Sequence, residues 1–331
     1  MVGINRRRAL TMISGAAFTG LAGCGGLGGG GEDFPTRDIR TIVPYGPGGG
    51  VDAYAQGYTP AVSDELGVNI EIDHIEGAAG LRGLGELAGA DPDGYTIGQA
   101  SPPAEVLPAL LEDPGFDQRE LTGIARVGYS SLTGIVNADH GIESYTDLVD
   151  AYQSGEFSQC AGLGEGGQQH AAALTARDKH GLDFDSYVAY GGTGQVEEAV
   201  VSNEVPFGFG TDAGFLSAVE SDSAYPVAIL SAEPSGVFPD WPTVTDEGFE
   251  DISFIGVLHR MWMAPPDTPD DIQQTLQDAF ETAYNSDHVQ QWSEDTGNAI
   301  TFDEGEEAEQ MITTMYEEIP ANVDMEELAG N

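Results

Sequence analysis

Four glycine-rich segments are the places where this chain could hold a small charged molecule. They are Pro47-Gly48-Gly49-Gly50, flanked by Tyr45 and Asp52; Gly77-Ala78-Ala79-Gly80; Gly162-Leu163-Gly164-Glu165-Gly166-Gly167, followed by His170; and Gly191-Gly192-Thr193-Gly194, followed by Gln195. Glycine lets the backbone approach a ligand closely, and the N–H groups at the start of a following helix attract negative charge. Any one of these loops alone reads as a tight turn; several at strand ends point to one shared crevice. Nucleotide chemistry fits them poorly. The first lacks the Gly-Lys-Ser/Thr ending of a phosphate-binding loop, and the third has a dinucleotide-like spacing without a convincing ribose acid. No Gly-x-Ser-x-Gly elbow, metal-spaced histidine cluster or paired catalytic carboxylate stands out, so neither catalysis nor a cofactor nor a metal is expected. Two nearby side chains have open readings. His170 could donate to an anion or act as a capping or core residue, and Arg82 could pair with an anion or sit on the surface.

The loops need strands and helices to position them. Ile39–Val43 reads as a strand before the first loop, with a helix beginning near Asp52 that Pro60 should kink or shorten. Strand Asn69–Ile75, the second loop and a helix through Leu87 repeat the unit. Short strands at Tyr95–Gln99 and Ile124–Val136 bracket a proline-rich stretch, and the latter is the expected crossover into a second lobe. There, Phe157–Ala161 and the helix Gln168–Lys179 flank the third loop, and Ser186–Tyr190 and the helix Gln195–Ser202 flank the fourth. The run Ile252–Ala264 should return to the first lobe. Thr268-Pro269 then opens a helix, with a capping hydroxyl and proline at the first helical position. Alternating units of this kind build parallel sheets with ligands at the carboxyl ends of the strands. At 331 residues the chain has room for two lobes. The expected division is 34–130 and 255–331 in the first lobe and 131–254 in the second.

With 56 Asp and Glu against 11 Lys and Arg, the net charge is −45, spread along the chain. Such a surface repels itself in dilute buffer, but at molar salt the Debye length falls to about 3 Å and screens the repulsion. The expected solvent is therefore a halophile's. Nucleic acid is a poor partner, because neutralising phosphates needs clustered Lys and Arg.

Residues 1–24 form a separate unit. Arg6-Arg7-Arg8, the apolar run Ala9–Leu21 and Leu21-Ala22-Gly23-Cys24 make a signal-peptide pattern that resembles a twin-arginine leader ending in a lipobox. The apolar run falls short of the ~20 residues a membrane span needs. Cys24 is thus the expected lipid anchor on the outer face of the cytoplasmic membrane, and residues 25–33 a glycine-rich tether. Cys160 would then be the one remaining thiol, read as a small buried residue.

From Phe34 to the C-terminal helix, the order of several weak motifs resembles the substrate-binding receptors of tripartite tricarboxylate transporters, the TctC or Bug family. The carriers are Ile39–Pro44 with Pro47–Gly50 and Asp52; Gly77–Gly80; Pro92-Asp93-Gly94-Tyr95-Thr96; Gly162–Gly164 with His170; Tyr190-Gly191-Gly192; Pro242-Thr243-Val244 with Glu247-Gly248-Phe249; and Ala264-Pro265 with Thr268-Pro269. His74, Glu76 and Tyr45 depart from the family's usual residues. The resemblance implies an α/β type II periplasmic-binding-protein fold, two Rossmann-like lobes around a central cleft. It also implies a small organic di- or tricarboxylate as ligand, a large and a small membrane subunit as partners, and a monomeric receptor. One carboxylate is expected at Pro47, Gly48, Gly49 and Gly50 with Tyr45, and a second toward Gly77, Ala78, Ala79 and Gly80. Ser101, Gly164, Gly166, Gly167, Thr193, Gly194 and Gln195 are expected to contact the ligand from other directions. Asp212 falls where the family has a cleft-facing acid, suited to a ligand hydroxyl or amine. The alternatives are an exported enzyme acting on a small carboxylate and a receptor of another transporter class for an amino acid or sugar.

Overall fold

The computed structural model describes residues 34–330, and its turns fall where glycine and proline punctuate the sequence. The first half contains β1 (Ile39–Val43), α1 (Gly50–Leu66), β2 (Ile70–His74), α2 (Leu81–Ala88), β3 (Thr96–Ala100) and α3 (Val106–Leu111). β1 runs parallel to β2 on one side and β3 on the other, with Ile42 opposite Asp73 and Gly98. The long strand β4 (Thr122–Asn137) then leads into the second half. That half holds α4 (Tyr145–Gln153), β5 (Gln159–Leu163), α5 (Gln168–His180), β6 (Ser186–Tyr190), α6 (Thr193–Val201), β7 (Phe207–Thr211), α7 (Leu216–Glu220) and β8 (Ala224–Ile229). The chain returns through α8 (Ser253–Gly256) and β9 (Val257–Ala264). It ends in α9 (Asp270–Tyr284), α10 (Asp287–Thr296), β10 (Ala299–Glu304), α11 (Gly305–Asn322) and α12 (Met325–Leu328).

β4 belongs to both halves. It pairs antiparallel with β9 along Thr122–Ser131 and with β7 and β8 along Leu132–Asn137. The resulting order is β2-β1-β3-β9-β4-β7-β5-β6, with β8 and β10 also on β4. One strand thus carries the ladders of two α/β halves. β4 is buried along nearly its whole length, and at Gly128 a Cβ would stand 2.3 Å from the Tyr54 ring, so only glycine lets α1 pack there.

Tyr54, Tyr58, Trp262 and Phe280 are all fully buried and stack between α1, α9 and the first sheet. Truncating one such ring to Ala typically costs ~3–5 kcal/mol. This packing explains the first departure from expectation: α1 runs on through Pro60 to Leu66. Proline forfeits the hydrogen bond to the Gln56 carbonyl, but both residues are exposed, so water can take its place. Burial of Tyr54, Tyr58 and Val62 outweighs the ~3 kcal/mol that proline costs inside a helix. β5 begins two residues later than expected because Phe157 turns inward, 5.7 Å from Tyr152, and closes the turn after α4. Thr268 does not cap α9; its hydroxyl donates back to the Pro265 carbonyl, and the helix starts at Asp270, after Pro269. The sequence places 255–331 with the first half, but from Met315 onward the tail crosses over. Met315, Ile319, Val323 and Leu328 join the core of the second half, and Arg177 on α5 grips Glu327 with two bonds of 2.7 and 2.6 Å.

Candidate functional site

Four of the strand-to-helix turns are closed in the same way. The Gly48 N–H donates to Asp52 (2.8 Å), the Ser101 N–H to both Glu105 oxygens (3.1 and 3.0 Å), the Gly166 N–H to His170 Nδ1 (3.1 Å) and the Gly191 N–H to Gln195 Oε1 (2.8 Å). Each acceptor lies four residues past its donor, so it satisfies one loop amide and fixes the loop's shape. Asp52, His170 and Gln195, expected to contact ligand, therefore use their acceptor atoms on their own loops. Asp52 also bonds His74 Nε2 at 2.7 Å, which gives His74 its role. Burial would raise the Asp52 carboxyl, but the Gly48 amide and His74 hold it below its ordinary range. Because Nδ1 of His170 accepts, its proton sits on Nε2; burial lowers its pKa.

The loops of the first half converge on a residue that the sequence reading passed over, Arg260 on β9. Its side chain is almost wholly buried, with the residue 4% exposed. Nη1 donates to Ser101 Oγ and, at 3.3 Å, to the His259 carbonyl; Nη2 donates to Ser130 Oγ at 3.2 Å. Nε has no partner. A Cβ at Gly50 would lie 3.1 Å from Nη2, so the first glycine loop rests directly on the guanidinium. Burial lowers the Arg260 pKa, while Tyr54, Glu105 and Asp212 act the other way.

Glu105 lies beneath the second loop. Burial pushes its carboxyl up to about 7, against the pull of Tyr45, the Ser101 amide and Arg260. The Tyr45 hydroxyl donates to the Ala79 carbonyl (3.2 Å), and a Cβ at Gly80 would collide with Glu105 at 2.9 Å. Ala78 and Ala79 are left-handed, with φ of +48 and +50°, a conformation that costs roughly 1–2 kcal/mol per residue without glycine. Such strain is concentrated where a backbone must present itself in one way. Pro47–Gly50 and Gly77–Ala79 are exposed, and Gly50 of the first loop lies over the buried cation. Arg82, by contrast, is an exposed residue folded back on the Glu76 carbonyl at 3.4 Å.

Asp212 is engaged within the fold. It is 1% exposed and accepts from the Ser131 amide (3.2 Å), the Ala213 amide (2.9 Å) and Ser235 Oγ (2.7 Å). Burial raises its pKa despite these donors and Arg260. The second-half loops keep to themselves: Gly164 bonds Tyr190, Gly166 approaches Leu328, and the Thr193 methyl packs under Gly210 and Gly214. No hydrogen bond joins Gly164–Gly167 or Thr193–Gln195 to the Arg260 cluster. The signal that could have revealed Arg260 was a charged residue, next to His259, inside the largely apolar run Val257–Ala264 of a very acidic chain.

A sequence profile for the tripartite tricarboxylate transporter family receptor matches residues 56–319. The chain belongs to this family. It is 26% identical over 258 residues to the Agrobacterium vitis "UPF0065 protein in the TAR-I ttuE-ttuC' intergenic region", covering 76% of this chain and 72% of that one. Among solved structures it resembles a TctC solute-binding protein from Polaromonas, with a TM-score of 0.75 at 20% identity over 87% of this chain and 98% of that one. It also resembles MatC from Rhodopseudomonas palustris with bound malate, with a TM-score of 0.69 at 21% identity over 88% and 100%. The fold is that of these periplasmic solute-binding proteins. Receptors of this family bind substrate outside the cytoplasm and are not enzymes. Among the described residues no helix is long and apolar enough to cross a membrane and no cluster of metal ligands occurs. The leader motif and Cys24 lie outside the described residues.

Proposed function

We propose that this receptor captures a small di- or tricarboxylate in the crevice between its two halves and delivers it to a large and a small membrane subunit. One ligand carboxylate docks at the Pro47–Gly50 loop, on the Gly49 and Gly50 amides over Arg260, and a second on Gly77–Gly80 beside Tyr45 and Ser101. Gly164–Gly167 and Thr193–Gln195 approach from the second half on closure. A first lobe of 34–130 with 255–331 and a second of 131–254 move about the two connections, β4 and the return into β9, and closure is the state the membrane subunits recognise. Cys24 carries lipid and holds the monomer at the outer face of the cytoplasmic membrane.

The observation that carries this reading is Arg260, a buried cation with Nη2 under the exposed first glycine loop and Nε without a partner. A carboxylate there gains charge-assisted bonds in a site that water and salt screen weakly. The malate-bound relative supports the ligand class. Thermal denaturation in molar KCl with malate, succinate, citrate, tartrate, glutamate, nicotinate and aromatic acids tests it. A ligand at 100 times its Kd adds about 2.7 kcal/mol to stability and raises Tm. If no acid shifts Tm at saturating concentration, the carboxylate assignment is wrong.

A further inference from the structure

A second cavity, of about 440 Å³, opens on the other face of the crossing strands. Neighbours on a strand point to opposite faces. Ser130 and Arg260 meet on the side of the glycine loops, whereas Tyr129 and His259 line this cavity. Its walls come from β4, β9 and α11 and from residues 231–233, 251, 253 and 254, so both halves contribute. It shares only His259 with the site described above, whose carbonyl accepts from Arg260 and Ser101 while its ring lines the cavity.

Arg126 and His259 form its polar wall, each 9% exposed. Each retains a buried nitrogen without a partner, Nε of Arg126 and Nδ1 of His259. Arg126 gives Nη1 to Asp303 at 2.7 Å, which leaves its Nε–H free. Burial, with Arg126 and Arg260 adding to it, holds the His259 imidazole well below its usual pKa, so a charge-neutral ring stands next to a guanidinium. The rest of the lining includes apolar Phe254, Val257, Met311 and Met315. Exposed acids, Glu233, Asp251 and Glu318, ring the mouth. A cation and an imidazole suit one carboxylate, the apolar wall suits a hydrocarbon body, and the acidic mouth repels a second carboxylate. The volume lies in the ~300–1,000 Å³ range of small-molecule sites and is larger than an inorganic anion needs.

We infer that this cavity is a second ligand site, taking a small monocarboxylic acid with an apolar body held by Arg126 and His259. Equilibrium dialysis of benzoate and isovalerate against the full chain in molar KCl tests it. At least one of the two acids binds saturably, and Thr314→Trp, which fills the cavity from a half-buried position on α11, weakens that binding by ~10-fold or more. Arg126→Gln weakens it similarly, while excess malate does not displace it. Absence of saturable binding of both acids would overturn the inference, as would binding that Thr314→Trp spares.

Discussion

Glu105 offers the sharpest test of the buried polar network. Its carboxyl is 1% exposed and pushed from an unperturbed 4.5 up to about 7, chiefly by burial. Between those two values the folded chain holds a proton that the unfolded chain has released. The group's favourable contribution is therefore complete below pH 4.5 and lost as pH rises through about 7. At ~1.4 kcal/mol per pKa unit, the loss amounts to roughly 3 kcal/mol. Glu105→Gln imitates the protonated form: its amide oxygen still accepts from the Ser101 N–H, and it carries no charge to bury. The 56 acids of the chain titrate in both proteins, so the informative quantity is the difference between variant and parent. Urea denaturation in molar KCl, followed at several pH values, should show near-equal stability at the acid end. The variant should gain by up to roughly 3 kcal/mol above neutrality. Parallel curves for the two proteins would refute the argument and place Glu105 in contact with solvent or fully paired with Arg260.

Three further outcomes follow from the same geometry. Gly49→Ala adds a Cβ whose nearest neighbour is the Gly46 carbonyl at 3.6 Å on an ordinary extended backbone, so folding should change by less than about 1 kcal/mol. If a carboxylate docks on that loop, the same methyl should raise the Kd for malate by ~10-fold or more in titration calorimetry, and an unchanged Kd would move the ligand elsewhere. Cys160 is fully buried and its thiol is pushed far up by burial, so in the folded protein a peptide-mapped maleimide should not label it until denaturant is added. The charge of −45 should make Tm rise steeply with KCl and much less with sucrose at equal osmolality; equal responses would argue against charge screening.

The local rules were legible in the residues themselves. Glycine and proline marked the strand-to-helix turns, apolar periodicity marked most strands and helices, and together they indicated two α/β halves with loops at strand ends. Those signals are short-range, carried by residues a few positions apart, and a linear reading can see them. Pro60 shows their limit: the intrinsic preference against a helix was real, and burial of Tyr54, Tyr58 and Val62 from the distant core overrode it. The same limit decided the site. Asp52, His170 and Gln195 were visible as polar residues beside glycine loops, but only the folded backbone shows that each turns back to cap its own loop. Arg260 stands 210 positions from Gly50 in the chain, and no spacing rule connects them. They meet because β9 returns between β3 and β4, antiparallel to both, and brings a charged side chain under the start of α1. Loop chemistry is thus a property of neighbouring residues, whereas the cation beneath it is a property of strand order, which long-range packing alone determines.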